Sequence, residues 1–559
     1  SLMKDQVDGL RACGYPAAAI HSGLSPEEMR DEIALVRSGA CRLVFASPER
    51  VLTPWFRELA MSAGVRTFAI DEAHCISQWG HDFRTEYRQL AELKRRFPGA
   101  SIHAYTATAT ERVRADVIAQ LELDDPEVLV GDFDRPNLTY RIVPRDRPSQ
   151  QVADIIARHA REATIVYCIS RKDTENLAAA LVKQGVDARP YHAGLDSEER
   201  RRTQEAFAGE SLDVVVATVA FGMGIDRSNV RCVIHAAMPK SIEHYQQETG
   251  RAGRDGLEAE CVLLYSSADS LRWERLIERS AEQAGDPDAI IAAQTGLLNE
   301  VRRFCTGLVC RHRVLSEHFG QAWTREECGA CDVCLGETKG AAASTVTAQK
   351  ILSCVARVEQ RFGLGHVVEV LAGGESETIR RYGHEALSTF GLLSDQPRKV
   401  IAAWVHQLID QGLIDRTTGD YPVLQLNAES LSVLRGEREV MLTRSRKAGR
   451  GAASTVGKGW EGVDRDLFES LRTLRFTLAQ EQGVPAYVIF GDATLRELAR
   501  HAPVTRQAFR EIHGVGDRKL ERFGEAFISA IRSHRGESDP DPGEELQDSE
   551  SSVRMTSGS

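Results

Sequence analysis

The sequence AIDEAHCISQWGHDFR, at residues 69–84, ends an apolar run in two adjacent acids, Asp71 and Glu72. In a parallel α/β sheet, groups at the carboxyl ends of the strands face the ligand crevice. We therefore expect Asp71 to hold Mg²⁺ through water and Glu72 to polarise an attacking water molecule. An exposed acid pair at a strand end is the alternative. The TAT sequence that follows at 106–108 favours a hydrolytic centre.

Short β-branched runs alternate with helical stretches up to about residue 265, which predicts an α/β fold with mainly parallel sheets. The turn-rich sequence FDRPN, at 133–137, divides the strands into two sets, so we expect two lobes rather than one sheet. The predicted strands lie in CRLVFAS (41–47), RTFAID (66–71), IHAYTAT (102–108), ATIVYCIS (163–170), DVVVAT (213–218), CVIHAAM (232–238) and CVLLY (261–265).

The chain of 559 residues is too long for one core and predicts several domains. Its net charge of -11 argues weakly against nucleic acid, but the charge is uneven: 536–550 is acidic, whereas 435–450 is rich in arginine. No stretch approaches the roughly 18 apolar residues of a membrane span. The first residues also lack a signal-peptide pattern. These features predict a cytoplasmic protein without a membrane partner.

Downstream of the α/β region the pattern is helical. LGETKGAAAST (335–345) predicts a linker, and GLIDRTTGDYPVLQL (412–426) predicts a short hairpin at the end of the next helical unit. A basic, glycine-rich second linker follows. The last ordered unit has only helical periodicity, and the acidic tail is predicted to be disordered.

One group of cysteines is crowded enough to suggest chemistry. Cys328, Cys331 and Cys334 have C-x₂-C-x₂-C spacing, which allows three thiolates to bind one ion. A tetrahedral zinc site needs a fourth ligand, for which Cys310 and Cys305 compete. A structural site is favoured over a redox site because nothing nearby suggests an activated thiol. His312 and His318 are predicted to be solvated helix residues.

Two further motifs carry side chains suited to nucleic acid and nucleotide. Trp79 and Phe83, beside Arg84, could stack on single-stranded bases at about 1–3 kcal/mol each, although packing in the core is the alternative. Arg251 and Arg254 are predicted on one face of a helical turn, where a guanidinium could neutralise charge on a γ-phosphoryl group. A salt-bridged surface helix is the alternative, but the intervening glycines argue against it.

The order of motifs resembles the RecQ family of superfamily 2 DNA helicases. The resemblance implies an ATP-dependent motor that unwinds DNA in the 3′-to-5′ direction during recombination and repair. It implies ATP as substrate, Mg²⁺ and a structural Zn²⁺ as cofactors, and single-stranded and duplex DNA as partners, with a single-stranded-DNA-binding protein or other repair proteins as further partners. The motifs are SLMKDQ, ASPER, DEAHCISQWGHDFR, AYTATAT, FDRPN, VYCISR, YHAGL, VVVATVAFGMGIDR and QETGRAGRDG.

The same resemblance implies the roles of individual residues. Asp71, Glu72, Arg251 and Arg254 bind the nucleotide and act in catalysis, His74 couples the acids to neighbouring motifs, and Arg254 is the better candidate for an arginine finger. The zinc ligands are Cys310, Cys328, Cys331 and Cys334. The implied DNA contacts are Trp79, Phe83, Arg84, Thr106, Thr108, Ser170, Arg171, Thr218, Arg380, Arg381 and Tyr421.

The resemblance also implies an architecture of two RecA-like lobes, the first incomplete, followed by zinc-binding, winged-helix and all-α HRDC-like units. The winged helix could equally present a protein-interaction wing, and IHGVG (512–516) could contact a phosphate or simply join two helices. The implied boundaries are 1–132 and 133–268 for the lobes, 269–336 for the zinc-binding subdomain, 346–436 for the winged helix, 437–461 for a basic linker, 462–535 for the HRDC-like domain and 536–559 for the acidic tail.

The phosphate-binding half of the nucleotide site is not apparent in this sequence. RecQ helicases carry a G-K-[ST] loop before the SLMKDQ helix, and neither G-K-S nor G-K-T occurs among these residues. We therefore expect a RecQ helicase truncated at its N-terminus. The alternative is a DNA-binding fragment without ATPase activity, if the chain is the natural product. An RNA helicase is a weaker third choice because of the zinc, winged-helix and HRDC-like order.

Overall fold

The computed structural model describes residues 2–21, 23–80, 82, 84–222, 227–282, 287–341, 343–417, 421–445 and 459–536. The strands are β1 Ala17–Ile20, β2 Leu43–Ala46, β3 Thr67–Ile70, β4 Ser101–Ala104, β5 Leu138–Pro144, β6 Ala163–Tyr167, β7 Ala188–Tyr191, β8 Val214–Ala217, β9 Val230–His235, β10 Ala259–Tyr265, β11 Thr338–Gly340, β12 Asp415–Arg416, β13 Leu424–Gln425 and β14 Thr443–Ser445.

The helices of the two lobes are α1 Leu2–Ala12, α2 Pro26–Arg37, α3 Pro48–Val51, α4 Pro54–Ser62, α5 Thr85–Arg88, α6 Glu92–Arg96, α7 Glu111–Gln120, α8 Pro148–Arg158, α9 Arg171–Lys183, α10 Ser197–Ala208 and α11 Ile242–Thr249. The later helices are α12 Ala268–Ala281, α13 Pro287–Thr306, α14 Arg311–His318, α15 Ser344–Arg357, α16 Leu364–Ala372, α17 Glu377–Tyr382, α18 Arg398–Asp410, α19 Ala428–Leu434, α20 Arg465–Gln482, α21 Ala486–Ile489, α22 Asp492–His501, α23 Arg506–Arg510 and α24 Asp517–Arg535. Short 3₁₀ turns cover Ala73–Ile76, Gln89–Ala91 and His384–Ala386.

The second lobe is built on a six-stranded parallel sheet in the order β5-β10-β9-β6-β8-β7. Strands β6, β8 and β9 are buried along their whole length, as expected for valine- and isoleucine-rich runs covered on both faces. The sheet confirms the predicted α/β class. Strands β1, β5 and β7 were not predicted; β1 is mostly alanine and β7 contains Pro190, which are weak strand signals, whereas nothing in the composition of β5 explains its omission.

The first lobe contains two separate parallel pairs, β1 with β2 and β3 with β4. Ile70 ends β3, so the acids follow directly at the carboxyl end of that strand. The backbone N–H of Tyr105 donates to the Ile70 carbonyl (2.8 Å), and the N–H of Ala73 donates to the Tyr105 carbonyl (2.9 Å). These bonds fix the acidic motif against the segment that carries the predicted threonines.

The zinc-binding subdomain, α12 to α14 and the following loop, shares its core with the second lobe. Leu298, Phe304 and Cys305 pack in one apolar cluster with Tyr140 and residues of the six-stranded sheet. The loop also continues the sheet, because Tyr140 on β5 donates to the Ala330 carbonyl (3.1 Å) and accepts from the N–H of Asp332 (2.9 Å). The subdomain is therefore an extension of the second lobe.

The winged-helix domain corrects both predicted linkers. Within LGETKGAAAST, β11 pairs antiparallel with β14, which lies inside the predicted linker 437–461. Val440 and Leu442 are buried in the core of this domain, so the start of the second linker belongs to the domain. The rest of that linker, 446–458, lies outside the described residues. The predicted hairpin is confirmed, since β12 pairs antiparallel with β13.

The HRDC-like domain is all helical, as predicted, and comprises α20 to α24. Its core is centred on Phe490, which packs edge-to-face against Phe509, Phe523 and Phe527. The prediction of a disordered tail concerns residues that, from 537 on, lie outside the described part of the chain. Across the ranges that the structure describes, no helix combines the length and apolar character needed to cross a membrane.

Candidate hydrolytic cleft and zinc centre

A buried histidine, His74, lies between the acidic motif and the threonine motif. His74 Nδ1 lies 3.0 Å from Thr106 Oγ1 and 3.3 Å from Glu72 Oε2. Glu72 adopts a left-handed backbone conformation with φ of 50°, which costs about 1–3 kcal/mol for a residue other than glycine and is common at functional sites. Asp71 is exposed, as a carboxylate that meets a hydrated cation must be.

Electrostatics give these groups different protonation behaviour. Burial and the neighbouring Asp71 raise the pKa of Glu72, while the Arg251 and Arg84 guanidiniums oppose that rise. Burial lowers the pKa of His74 to about 4. His74 is therefore neutral near pH 7, and its Nδ1 lies between Glu72 and Thr106 without adding a positive charge.

The loop after the acidic motif lies on helix α7. The Arg112 guanidinium stacks 3.3 Å from the ring centroid of Trp79, whose exposed fraction is 48%. Ser77 Oγ donates to Asp116 on the same helix (2.6 Å), and Arg84 pairs with Asp82 (2.7 Å). Phe83, also predicted as a DNA contact, lies outside the described residues. Helix α7 starts just after the threonine motif, so Trp79 packs against the helix that follows this motif.

The arginine motif is not a helical turn, which corrects the sequence prediction. Helix α11 ends at Thr249, and the glycines at 253 and 256 adopt positive φ angles that stop any continuation. Arg251 is buried and donates to the carbonyl of Gly222 in its own lobe. Arg254 is exposed. The two arginines therefore differ in burial: Arg251 is packed within its own lobe, whereas Arg254 is exposed, and both line the cleft.

Residues 250–257, the arginine loop, are held by a motif that sequence reasoning treated only as a divider between lobes. Arg135 of FDRPN donates to the carbonyls of Ala252 (3.1 Å) and Gly253 (2.7 Å). Asn137 donates to Gly253 and Leu257 (both 2.9 Å). A turn at FDRPN does not need the side chains of Arg135 and Asn137. Their presence is the sequence signal that could have revealed this role.

A large open cleft runs past both the acids and the arginine loop and continues to helices α20 and α24 of the HRDC-like domain. Its lining includes Asp71, Glu72 and Thr108 from the first lobe, with Arg251 and Arg254 opposite them. The Thr108 side chain is buried, and its hydroxyl has no hydrogen-bond partner within the described ranges. Acids and guanidiniums facing each other across a cleft can bind a metal-bound triphosphate between them.

The other predicted DNA contacts fall into two groups. Ser170 caps α9 by accepting from the N–H of Asp173 (3.1 Å), Arg171 is exposed beside it, and Thr218 follows β8. In the winged helix, Arg380 and Arg381 are exposed on α17, and Tyr421 is 93% exposed beside the hairpin. Phe362 joins these elements, since its ring contacts Tyr382 and its carbonyl accepts from Leu424 (3.0 Å).

The four predicted zinc ligands converge. The sulfur atoms of Cys310, Cys328, Cys331 and Cys334 all lie within 4.8 Å of one another, and Cys305 is not part of the group. Sulfurs around a tetrahedral zinc with 2.3 Å bonds are about 3.8 Å apart, so four thiolates at this spacing fit the ion. Backbone N–H groups of Ala330 and Cys334 point at the sulfurs of Cys328 and Cys331 (3.3 and 3.4 Å).

The two histidines near the cluster are not solvated, which corrects the sequence prediction. His312 is buried, with Nδ1 2.6 Å from Asp134 Oδ1 in FDRPN. His318 Nε2 lies 2.9 Å from Glu243 on α11. Burial opposes the charge on His318, but the hydrogen bond and charge of Glu243 raise its pKa overall. Both histidines therefore tie the zinc-binding subdomain to the interlobe segment and to the helix that precedes the arginine loop.

Family models match the chain in five consecutive segments. They are DEAD/DEAH box helicase at 1–117, helicase conserved C-terminal domain at 148–256, RecQ zinc-binding at 267–335, RQC domain at 342–450 and HRDC domain at 464–531.

Curated relatives match along nearly the whole chain. "ATP-dependent DNA helicase RecQ" of Pasteurella multocida is 40% identical over 96% of this chain and 84% of its own length. The proteins of the same name from Haemophilus influenzae and Bacillus subtilis are 39% and 38% identical, each over 96% of this chain and over 86% and 88% of their own lengths.

Proposed function

Because this chain belongs to the RecQ family of ATP-dependent DNA helicases, we propose that hydrolysis occurs in the interlobe cleft and drives 3′-to-5′ movement along single-stranded DNA. One observation carries the proposal: Glu72, which lines the cleft together with the arginine loop, shares the Nδ1 atom of His74 with Thr106 behind it. This chain of contacts connects the acid that activates water with the segment proposed to sense DNA.

In the proposed reaction, Asp71 holds the hydrated cation and Glu72 orients the attacking water. Mg²⁺, when bound, would neutralise charge on the phosphates, and an exposed carboxylate is a ligand that this cation prefers. The raised pKa of Glu72 suits a group that handles a proton near neutral pH. Neutral His74 keeps the Glu72 carboxylate pointing into the cleft.

The second lobe supplies positive charge. Arg254, exposed on the arginine loop, is proposed as the finger that stabilises charge on the transferring γ-phosphoryl group. Arg251 is held within its own lobe by Gly222 and is proposed to set the local potential, since its charge already acts on Glu72. Because the loop is bonded to Arg135 and Asn137, closure of the lobes would carry Arg254 with it.

DNA is proposed to cross the cleft edge and the winged helix. Trp79, Arg84, Thr106, Thr108, Ser170, Arg171 and Thr218 are the proposed contacts to the single strand, and Arg380, Arg381 and Tyr421 those to the duplex. Arg112 joins the first group because it stacks on Trp79. Cytoplasmic location, work in recombination and repair, and partnership with a single-stranded-DNA-binding protein are proposed on the same family basis.

ATP hydrolysis tests the proposal in a chimera. The phosphate-loop segment of a curated relative is joined ahead of residue 1, because the 559 residues contain no G-K-[ST] sequence and should hydrolyse ATP only at background. The chimera should show magnesium-dependent ATPase activity that single-stranded DNA stimulates.

Glu72→Gln should abolish that activity, whereas Glu86→Gln, a change at an acid of the same lobe on α5, should leave it intact. Turnover that survived Glu72→Gln would refute the assignment. DNA-stimulated turnover by the 559-residue chain alone would show that the phosphates are held by groups other than a phosphate loop.

A further inference from the structure

The HRDC domain contacts the second lobe through side chains that are both charged and buried. On the HRDC side, Arg475 is 1% exposed and Asp492 is 7% exposed. Arg475 pairs with Glu210 of the second lobe (2.8 Å) and with Asp492 (2.8 Å). Buried charges are costly unless they are paired in good geometry, so this surface is specified for one partner surface.

Further pairs surround this contact. Arg472 binds Asp213 (3.2 Å) and the backbone carbonyl of Arg161 (2.6 Å). Arg496 pairs with Glu258 (3.3 Å), the residue just after the arginine loop. Arginines of the HRDC domain thus face acids of the second lobe at several points of the interface. A chance contact between two independently moving domains would leave such groups in water.

One residue of the second lobe belongs to both the HRDC interface and the arginine loop. Arg231, on β9, is 3% exposed; its Nη1 (2.9 Å) and Nη2 both donate to Asp255, and Nη2 also lies 3.6 Å from Asp492. Asp255 is the residue next to Arg254. Burial alone would raise the pKa of Asp492, but the Arg475 and Arg231 guanidiniums lower it to about 2, so it stays charged at neutral pH.

We infer that the HRDC domain docks on the second lobe and holds the arginine loop in place through Arg231. Asp492 and Asp255 share this guanidinium, so an undocked HRDC domain leaves Arg231 without one of its two acids and the loop with a looser anchor. Arg135 and Asn137 bind the loop carbonyls, and Arg231 binds the loop through the side chain of Asp255. Asp492 and Arg231 are positioning residues for Arg254.

The inference concerns loop order, and only its catalytic consequence rests on the proposed role of Arg254. Hydrogen exchange in the 559-residue chain therefore tests it without ATP hydrolysis. Glu210→Gln weakens docking from the lobe side without touching the arginine loop or the HRDC core. It should speed exchange about fivefold or more both at 470–476 and at 250–257. Strand 230–235 should stay protected, which shows that the lobe remains folded.

Two further variants separate the steps. Arg231→Lys keeps a positive charge but cannot span both acids, so it should loosen 250–257 while 470–476 stays protected. Asp517→Asn is the matched control, because this exposed HRDC acid pairs only locally with Arg510 (2.9 Å), and neither region should change. Wild-type exchange at 250–257 in Glu210→Gln, with 470–476 loosened, would overturn the inference, and so would wild-type exchange at 250–257 in Arg231→Lys. So would loosening of both regions by the control.

Discussion

The two helicase lobes differ in how firmly their sheets are covered. In the second lobe every residue of β6, β8 and β9 is buried, and the zinc-binding subdomain, the winged helix and the HRDC domain all contact the lobe. In the first lobe, β3 and β4 are half exposed, and they form a two-stranded sheet. The guanidiniums thus stand on a lobe braced by three accessory units, and the acids stand at the end of a strand in a small sheet.

This difference shows how the accessory units serve the motor. Each one attaches to the lobe that carries the arginine loop, by a different physical means. The zinc loop adds backbone hydrogen bonds to β5, the winged helix contributes a buried carboxyl, and the HRDC domain contributes ion pairs. The arginine loop is therefore carried by a lobe to which all three accessory units attach.

The largest expected effect comes from removing the zinc. Cys331→Ser should lose the metal, because structural zinc contributes roughly 10–16 kcal/mol of apparent binding energy that three thiolates cannot supply. Since Ala330 and Asp332 pair with Tyr140, loss of the metal should also expose strand 138–144 to hydrogen exchange.

Cys305→Ser is the control for this experiment. Cys305 is buried in the neighbouring apolar core and is not part of the four-sulfur group, so the variant should keep one zinc per chain. Zinc lost from Cys305→Ser but retained by Cys310→Ser would reverse the ligand assignment. Metal content and exchange of 138–144 should change together in Cys331→Ser; zinc loss with a fully protected strand would break the claimed coupling.

A second prediction compares the lobes directly. Amide exchange in β3 should be about 100-fold faster than in β6, because half-exposed strands open at lower free energy than strands buried in a six-stranded sheet. Peptides covering 67–70 and 163–167 in the same sample provide the measurement. Equal protection of the two strands would mean that the first lobe is as restrained as the second, and the comparison would fail.

The winged-helix contact should depend on pH. Burial raises the pKa of Asp410 to about 6, and the charge of Glu274 adds to the rise. The hydrogen bond from Tyr265 and the charge of Arg302 lower the pKa, but by less. A carboxyl whose folded pKa exceeds the unfolded value of about 3.9 contributes stability that is fully present below pH 4 and is lost as pH rises through 6. Docking of α18 should therefore be weaker at pH 8 than at pH 5.

Asp410→Asn removes this titration and should flatten the pH dependence, raising stability at pH 8 by roughly 2–3 kcal/mol. Urea unfolding, with hydrogen exchange of residues 398–410 as the probe, measures this change in stability at each pH. Asp395→Asn, at an exposed acid of the same domain, should leave the wild-type profile unchanged. An Asp410→Asn profile as steep as that of the wild type would assign the titration to another group.

The smallest expected effect concerns single-stranded DNA. Trp79→Ala should weaken binding of an oligothymidylate by about tenfold, because one stacked base contributes roughly 1–3 kcal/mol. Tyr15→Ala is a matched control, since Tyr15 is an exposed aromatic residue of the same lobe at 46% exposure. Fluorescence anisotropy distinguishes them. Equal affinities for the two variants would leave Trp79 as a packing partner of Arg112.

Short-range patterns allowed the sequence to predict much of this molecule. Strand runs, the cysteine spacing and the acidic motif all depend on residues within a few positions, and the order of domains followed from the family resemblance. The pairing of β11 with β14 was missed because the partners, Thr338 and Ser445, lie far apart in the chain and are polar. Tertiary pairing decided these segments against their linker-like composition.

The missed features of the site are also long-range. His312 and His318 have the local pattern of exposed helix residues, and their burial is set by Asp134 and Glu243 elsewhere in the chain. The arginine motif has polar residues at helical spacing, but helix α11 ends at Thr249, and Gly253, between the two arginines, has a positive φ. No local signal reveals that Arg231 faces both Asp255 and Asp492.

The central claim is that one hydrolytic centre is assembled from the two unequal lobes. The most direct measurement is DNA-stimulated ATP turnover by Arg254→Ala in the chimera that carries a phosphate loop. We predict that kcat falls roughly 10³-fold, while DNA affinity and the folded state remain those of the parent chimera. Turnover equal to that of the parent would contradict the claim, because the braced lobe would then contribute no charge to the reaction.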